Sequence, residues 1–288
     1  MYQFRYHNPW MWDKRKSFTF KTWHTSGNSA SFSPASMGGS TTSGLSSFRL
    51  RDELRRGVSV AIGIPKTYDL RFYHSLQYEA INLTQENSKN KFYEQYSYKF
   101  AISHDTRDIF LNPRQGHYYV FSTEKALKVK KNAIPFTKIE VGLKKFIPTF
   151  KKQVLALRAD YGYTHSNELK KNNKSPLIPY YIGGMSAVRG WSEFGAENLS
   201  GNKKAIYSIE YRFLLTDVFQ LVFFVDAGYV SYSNKEFLDH NNYLTGRGIG
   251  LRFNVPQIGP IRFDFGWKGL KGLINDDFEL HFNIGHAF

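Results

Sequence analysis

The stretch FELHFNIGHAF, residues 278–288, decides the fold, because apolar and polar residues alternate along it. One parity carries mostly large apolar side chains, namely Phe278, Leu280, Phe282, Ile284 and Phe288. The other parity carries Glu279, His281, Asn283, Gly285 and Ala287. A period of two residues puts these sets on opposite faces of a β-strand. The sequence therefore predicts a terminal strand whose aromatic face must meet an apolar environment.

The same alternation recurs upstream of this strand. It is clear in three segments, 261–267, 248–255 and 205–213, whereas 221–229 is apolar on nearly both faces and is interrupted by Asp226. Weaker segments of the same kind lie at 151–164, 136–146, 117–127, 95–105, 68–83, 54–64, 14–24 and 2–8. The pattern predicts about thirteen strands and no helix.

The composition limits the class of protein. Aromatic residues make up 17% of the 288 residues, yet the mean hydropathy is −0.46, as expected when apolar and polar residues alternate. No run approaches the ~20 apolar residues that a membrane-spanning helix needs, which excludes a helical membrane protein. Cysteine is absent, which excludes disulfide scaffolds and thiolate metal sites.

The net charge of +15 raises the question of a nucleic-acid partner. The basic residues are scattered through alternating strands and polar segments, with short clusters such as Lys128, Lys130 and Lys131. No helical basic stripe and no RNA-binding signature occurs. We expect no nucleic-acid partner, because basic side chains that line a pore or face acidic lipid headgroups explain the charge equally well.

The predicted connections alternate between short and long. The short ones are 8–13, 65–67, 105–116, 147–150, 214–218 and 256–260, and the long ones are 26–48, 84–94, 128–134, 165–203, 231–245 and 268–276. Outer-membrane barrels have short periplasmic turns and long outward loops. Their sheets present apolar residues to lipid and polar residues to the lumen. The sequence thus predicts an all-β, antiparallel transmembrane β-barrel over 1–288, with Trp267 and Phe288 in the interfacial girdle; the alternative is a soluble sandwich.

Two stretches, YIGGMSAVRGWSEF (181–194) and the run from 248 to the end, resemble the BamA family of outer-membrane insertases and its relatives. In that family a long loop carries a motif of Val, Arg, Gly and an aromatic residue, here Val188, Arg189, Gly190 and Trp191. A Gly-Gly pair precedes the motif, here Gly183 and Gly184. The last strand is similar to the family's β-signal, on the residues Phe282, Ile284, Gly285 and Phe288.

The resemblance also implies what surrounds such a barrel. Family barrels have sixteen strands after periplasmic POTRA domains, and we expect this chain to begin at the equivalent of the fourth strand, with neither a POTRA domain nor a secretory signal. We therefore expect a partial barrel of about thirteen strands that forms an open sheet or a weakly paired seam. The resemblance implies an outer-membrane location, in a bacterium or an organelle, with the loop 165–203 folded inward.

Arg189 is the residue that the sequence singles out. Parity predicts that Glu210 and Asp226 face the lumen, where a bidentate arginine–carboxylate pair could hold the loop on the inner wall near Trp191. Such a pair in a wet pore would contribute about 1–3 kcal/mol to docking. Asp264, Arg262 and Arg252 are interpreted as a structural charge ladder on the same wall.

The expected function is not enzymatic: an outer-membrane assembly factor that accepts substrate strands at a lateral seam beside the last strand. Its expected partners are membrane lipid, substrate outer-membrane polypeptides and accessory assembly proteins, with no cofactor. The alternatives are a two-partner secretion or TamA-like translocating pore, a porin, or a barrel enzyme using Asp239 and His240. His281 and His286 fall on opposite faces, so no metal site is expected.

Overall fold

The computed structural model describes most of the chain. The described residues are 2–11, 15–28, 52–85, 88–110, 112–167, 180–192, 200–216, 218–255, 259–270 and 278–284. No helix among them is long and apolar enough to span a membrane.

Thirteen strands form one antiparallel sheet, in agreement with the predicted number. The first eight are β1 (Tyr2–Met11), β2 (Lys16–Asn28), β3 (Asp52–Pro65), β4 (Leu70–Gln85), β5 (Ser88–Asp105), β6 (Gly116–Leu127), β7 (Phe136–Pro148) and β8 (Gln153–His165). The last five are β11 (Lys203–Leu214), β12 (Phe219–Ser231), β13 (Leu244–Val255), β14 (Gly259–Lys268) and β15 (Glu279–Ile284).

Each strand of the sheet pairs with its neighbour in sequence, so the chain is a simple meander. A long insertion follows β8 and contains a separate two-stranded ladder, β9 (Tyr180–Tyr181) with β10 (Ser200–Gly201). After the insertion β11 returns beside β8, where Lys203 pairs with Tyr163 and Phe213 with Gln153. The insertion therefore leaves the sheet and rejoins it without changing the strand order.

The two faces of the sheet differ as the alternation predicts. On β12, Phe223 and Val225 are exposed on one face, whereas Val222, Phe224 and Asp226 are buried on the other. On β14, Arg262 and Asp264 are buried, and the predicted outward residues Phe263 and Phe265 are less so. We call the face against which residues 180–192 pack the inner face. An exposed apolar face suits lipid, and a covered polar face suits a lumen.

One prediction about connections is wrong. The predicted loop 84–94 is mostly strand, because β4 and β5 remain paired from Asn82–Phe92 to Gln85–Ser88. A single helical turn, α1 (Asn234–Leu238), and a 3₁₀ turn (His240–Asn242) lie between β12 and β13, within the predicted connection 231–245. The side chain of Ser233 caps α1 by accepting a hydrogen bond from the Glu236 backbone N–H.

The turn between β5 and β6 is stabilised by its aspartates, as the sequence predicts. Asp108 accepts hydrogen bonds from the backbone N–H groups of Ile109 and Arg114, each at 2.9 Å. Asp105 pairs with Arg107, whose guanidinium also stacks over the Tyr118 ring at 4.6 Å. These side chains explain how a turn of ten residues stays compact.

Candidate functional site: a loop docked on the inner face

The segment 180–192 is shaped by glycines. Gly183 and Gly184 have φ of 125° and 78°, a region that side chains with a Cβ rarely adopt. The Gly184 N–H donates to the Trp191 carbonyl at 2.7 Å, which closes residues 184–191 into a compact loop. Arg189 stands near the end of this loop, where it meets the inner face of β11–β14.

Arg189 binds carboxylates on three strands. Its Nε and Nη2 donate to the two oxygens of Asp226 on β12 at 2.7 and 2.8 Å. Its Nη1 donates to Glu210 on β11 at 2.7 Å and to Asp264 on β14 at 3.2 Å. The Arg189 backbone N–H also donates to Asp226, at 3.0 Å. The fork of a guanidinium suits such divided binding, because its five donors are held in one plane.

Two further side chains complete the surroundings of Arg189. Ser208 on β11 accepts from Nη2 at 3.1 Å and donates to Asp226 at 2.5 Å. The guanidinium carbon lies 3.6 Å from the centroid of the Phe224 ring, a cation–π contact on β12. Each nitrogen of the Arg189 guanidinium donates to at least one acceptor, and the Phe224 ring covers one face of the group.

The site is buried and rich in charge. Arg189 is 3% exposed and Glu210 is fully buried. Burial alone would lower the pKa of Arg189, but Asp226 and Glu210 outweigh it and raise the pKa well above its ordinary value. Glu210 also pairs with Arg212 at 2.8 Å and Arg252 at 2.6 Å. Four arginines, counting Arg262 on Asp264, thus surround three carboxylates, so each buried charge has a partner of opposite sign.

Glycines on the inner face let the loop backbone approach closely. A Cβ at Gly246 on β13 would lie 1.8 Å from the Arg189 carbonyl oxygen. A Cβ at Gly266 on β14 would lie 2.4 Å from the Gly190 nitrogen. Gly190 itself has φ of 90° and rests on the Trp267 backbone. These contacts require glycine on both sides of the interface.

The aromatic residue of the motif and the C-terminal strand also hold the loop. The indole Nε1–H of Trp191 donates to the Thr245 carbonyl at 2.9 Å. The Gly190 N–H donates to the imidazole Nε2 of His281, on β15, at 3.1 Å. The loop therefore contacts all five strands from β11 to β15.

An apolar cluster and a tyrosine hold the base of the loop. Ile182 and Val188 pack with Ile206 and Val230 in one buried cluster. Tyr180 lies over Gly162 of β8, where a Cβ would come within 2.7 Å of the ring. The amines of two lysines, Lys138 and Lys204, approach the Tyr180 ring centroid to 5.0 and 4.8 Å. This contact is separate from the Arg189 cluster, so the loop is held at two points.

The structure brings Arg189, Glu210 and Asp226 into direct contact, with Trp191 on the same face. It differs from the sequence expectation in two respects. Asp264 is a direct partner of Arg189 and not only part of a charge ladder. The pair is enclosed by the loop and the sheet instead of standing in open water, so the expected 1–3 kcal/mol is too small for a buried pair.

Sequence reasoning did not identify Ser208, Phe224 or His281 as parts of the site. All three share the inward parity of Glu210 and Asp226, so parity is the signal that could have found them. Parity cannot say how far along the wall the loop docks, and that position decides which inward side chains it meets.

The residues predicted for the C-terminal seam are described only in part. Phe282 is exposed on the outward face of β15 and its ring lies 5.0 Å from that of Phe263. Ile284 ends the strand. Gly285 and Phe288 lie outside the described residues, as does any girdle position of Phe288; Trp267 is largely buried beside Phe278.

The residues considered for a barrel enzyme occupy a capped turn. Asp239 accepts hydrogen bonds from the backbone and side chain of Asn241, both at 3.0 Å. His240 lies in the adjoining 3₁₀ turn. Among the described residues, no group of three His, Asp or Glu side chains is arranged to hold a metal ion.

Comparison with known proteins gives the chain a family. The family model for the Omp85 superfamily domain matches residues 1–288. The chain is similar to BamA from Haemophilus ducreyi, in a structure lacking POTRA domains 1–3, with a TM-score of 0.71 and 18% identity over 99% of this chain and 61% of that one. It thus spans less than two thirds of that relative.

CdiB structures give weaker likenesses. CdiB from Acinetobacter baumannii has a TM-score of 0.56 and 12% identity, over 94% of this chain and 46% of that one. CdiB from Escherichia coli has a TM-score of 0.59 and 14% identity, over 95% of this chain and 50% of that one. These low identities show a shared fold. No curated protein matched the sequence.

Proposed function

Because this chain belongs to the Omp85 superfamily, we propose that it forms the barrel wall of an outer-membrane protein assembly factor. In this proposal substrate β-strands add beside the C-terminal strand, β15. The superfamily comprises outer-membrane barrels that insert or translocate proteins, and the choice of insertion is our inference.

The observation that carries the proposal is the buried docking of Arg189. A plain diffusion pore has no need for a loop that ties β11, β12 and β14 together through one guanidinium. Such a tie makes the C-terminal part of the sheet a rigid unit, because undocking the loop would leave Asp226 buried without the arginine that pairs with it. A rigid wall beside a strand edge is what a protein needs if it is to template incoming strands.

The C-terminal strand has features suited to that role. β15 is the last strand of the sheet order, and its described pairing is with β14. Its outward side chains Leu280 and Phe282 are exposed and apolar, so a strand added beside them would extend a lipid-facing surface. Backbone hydrogen bonds would supply affinity, and the alternating outward residues would supply selectivity.

The partners follow from the same arrangement. Membrane lipid covers the outward face, unfolded outer-membrane polypeptides are the substrates, and accessory assembly proteins deliver them. The inward lysines beside Glu140, Lys138 and Lys204, are neutralised in part by that carboxylate. No cofactor enters this proposal, since strand addition requires no chemistry beyond hydrogen bonding and burial.

The second candidate is a polypeptide-translocating pore, which the likeness to CdiB keeps open. A translocating pore must clear its lumen, so the loop would leave the inner face during transport. An assembly factor can keep the loop docked. The two functions therefore make opposite demands on the Arg189 cluster.

Reconstitution tests the proposal. The full-length protein in liposomes should accelerate the folding of an unfolded outer-membrane barrel protein, measured as the appearance of the heat-modifiable folded band. Arg189→Ala should slow this reaction, whereas Arg114→Ala, on an exposed short turn, should not. Folding no faster than in empty liposomes, together with passage of a polypeptide into the vesicle interior, would favour the translocating pore instead.

A further inference from the structure

The docked loop also contacts the C-terminal strand, β15, through His281. His281 lies on the inner face of β15 and is only 8% exposed. Its Nε2 accepts the Gly190 N–H at 3.1 Å. The carboxylates of the Arg189 cluster lie on β11, β12 and β14, so His281 carries the side-chain hydrogen bond that reaches the last strand.

Two glycines make this reach possible. The loop must cross β14 to meet β15, and it does so at Gly266, where a Cβ would lie 2.4 Å from the Gly190 nitrogen. At Gly190 a Cβ would lie 2.6 Å from the Trp267 carbonyl oxygen. With side chains at either position the loop would stand off from β14, and the Gly190 N–H would not come within hydrogen-bonding distance of the imidazole.

The strand that receives this bond pairs with β14 in the described residues. The ladder between β14 and β15 joins Ile261–Gly266 to Ile284–Glu279 in the described residues. The Gly190–His281 hydrogen bond therefore adds a contact with the loop to the backbone pairing of residues 279–284 with β14.

We propose that His281 couples the docked loop to the C-terminal strand. While the loop is docked, the Gly190–His281 bond holds β15 against β14, and when the loop leaves, β15 becomes easier to open. His281 is a positioning residue in this proposal, acting through Gly190. The inference rests on the proposed function only in taking β15 as the strand that borders the substrate seam.

The chemistry of the bond sets a requirement on the imidazole. An Nε2 that accepts a hydrogen bond carries no proton, so the neutral ring must be protonated at Nδ1. Glutamine can place an amide oxygen near the position of Nε2 and can accept the same N–H. Leucine fills similar space and accepts nothing.

Hydrogen exchange on the full-length protein in lipid nanodiscs tests the coupling. His281→Leu should speed exchange of the 279–284 amides about two- to tenfold, the range expected for one lost hydrogen bond. His281→Gln should keep exchange near the wild-type rate. The matched control is Asn283→Leu, an inward change on the same strand, which should leave the loop contact intact.

A second variant separates the coupling from general strand damage. Arg189→Ala releases the loop without touching β15, and it should speed exchange of 279–284 while the 153–165 amides of β8 keep their rate. Three results would overturn the coupling. His281→Leu and Asn283→Leu could speed exchange of the 279–284 amides equally, or His281→Gln could speed it as much as His281→Leu does. Arg189→Ala could also leave the exchange of these amides unchanged.

These outcomes are distinct from failure of the proposed function. Normal coupling in a protein that does not accelerate barrel folding would reject the assembly activity and keep the role of His281. Accelerated folding with no effect of His281→Leu on β15 exchange would reject the coupling alone.

Discussion

At the residue scale, Arg189 concentrates the energetics of the loop. Its guanidinium donates hydrogen bonds to three buried carboxylates, those of Asp226, Glu210 and Asp264. Its removal would take one cationic partner from each of them. Breaking a buried pair by removing one member costs several kcal/mol, because a buried charge is left uncompensated. The importance of the residue thus comes from what its neighbours lose.

Arg189→Ala should destabilise the docked state of the loop by roughly 3–5 kcal/mol while leaving strand content unchanged. Arg189→Lys should rescue poorly, because an ammonium cannot reproduce the planar fork. Native-state hydrogen exchange of amides 182–191 measures the loop, and circular dichroism measures the strands. Equal protection in the wild type and in Arg189→Ala would contradict this account.

Gly246 tests the close approach of the loop backbone without altering any charge. Gly246→Ala places a methyl group where the Arg189 carbonyl lies, and we expect a loss of docking stability of about 1–3 kcal/mol from overpacking. Thr245→Ala is the matched control, since it keeps the carbonyl that binds Trp191. The same exchange measurement applies, and a harmless Gly246→Ala would mean that the loop does not sit against β13.

Parity predicted which residues face the loop better than it predicted which residues touch it. Alternation predicts that the charged residues Glu210 and Asp226 face the loop. It does not mark Phe224 as a site residue, because 221–229 is apolar on nearly both faces and an inward phenylalanine there resembles core packing. Its cation–π contact depends on where the loop docks, and alternation within a strand carries no information about that.

At the element scale, the strand count follows from the pattern, and the loops show its limits. Alternation arises within each strand from its pleat, so a strand can be recognised from its own residues. Residues 84–91, which begin the predicted loop 84–94, are polar on both parities, and this is typical of a loop rather than of an alternating strand. The strand persists there because backbone pairing with β4 does not depend on apolar side chains.

The contact of Tyr180 with β8 should be separable from the contacts of Arg189. Gly162→Val would displace the Tyr180 ring, which lies where the new side chain would stand. We expect faster exchange at 180–182 and retained protection at 188–190, since the described ion pairs of Arg189 join it to β11, β12 and β14. Ala159→Val, outward on the same strand, is the control. Loss of protection along the whole loop would show that the two anchoring points act as one.

At the scale of the whole molecule, the two faces of the sheet serve two environments. The outward face carries exposed aromatic and aliphatic side chains such as Phe223, Ile209 and Leu280. The inner face carries charges that form ion pairs with one another and with Arg189 of the loop. The net charge of +15 is therefore compatible with a membrane location, because many cations, such as Arg212 and Lys204, lie on the inner face.

Phe223→Arg should show that the outward face meets lipid. Phe223 is 44% exposed in mid-strand, and a charge near the bilayer midplane of a barrel costs about 2–4 kcal/mol. Tyr68→Arg, at an 88% exposed position on a short turn, should have little effect. Urea unfolding in lipid vesicles measures both. A similar small effect of the two changes would mean that β12 does not face hydrocarbon.

The position of the loop in the intact membrane protein tests the account most directly. The chain has no cysteine, so none of its own thiols competes with an engineered cysteine pair. A Cβ at Gly228, inward on β12, would lie 3.0 Å from a methyl group of Val188, within reach of a disulfide. Val188→Cys with Gly228→Cys should crosslink under mild oxidation in membranes, and Val188→Cys with outward Ala227→Cys should not. No crosslink in the first pair, or an equal yield in both, would contradict a loop docked on the inner face.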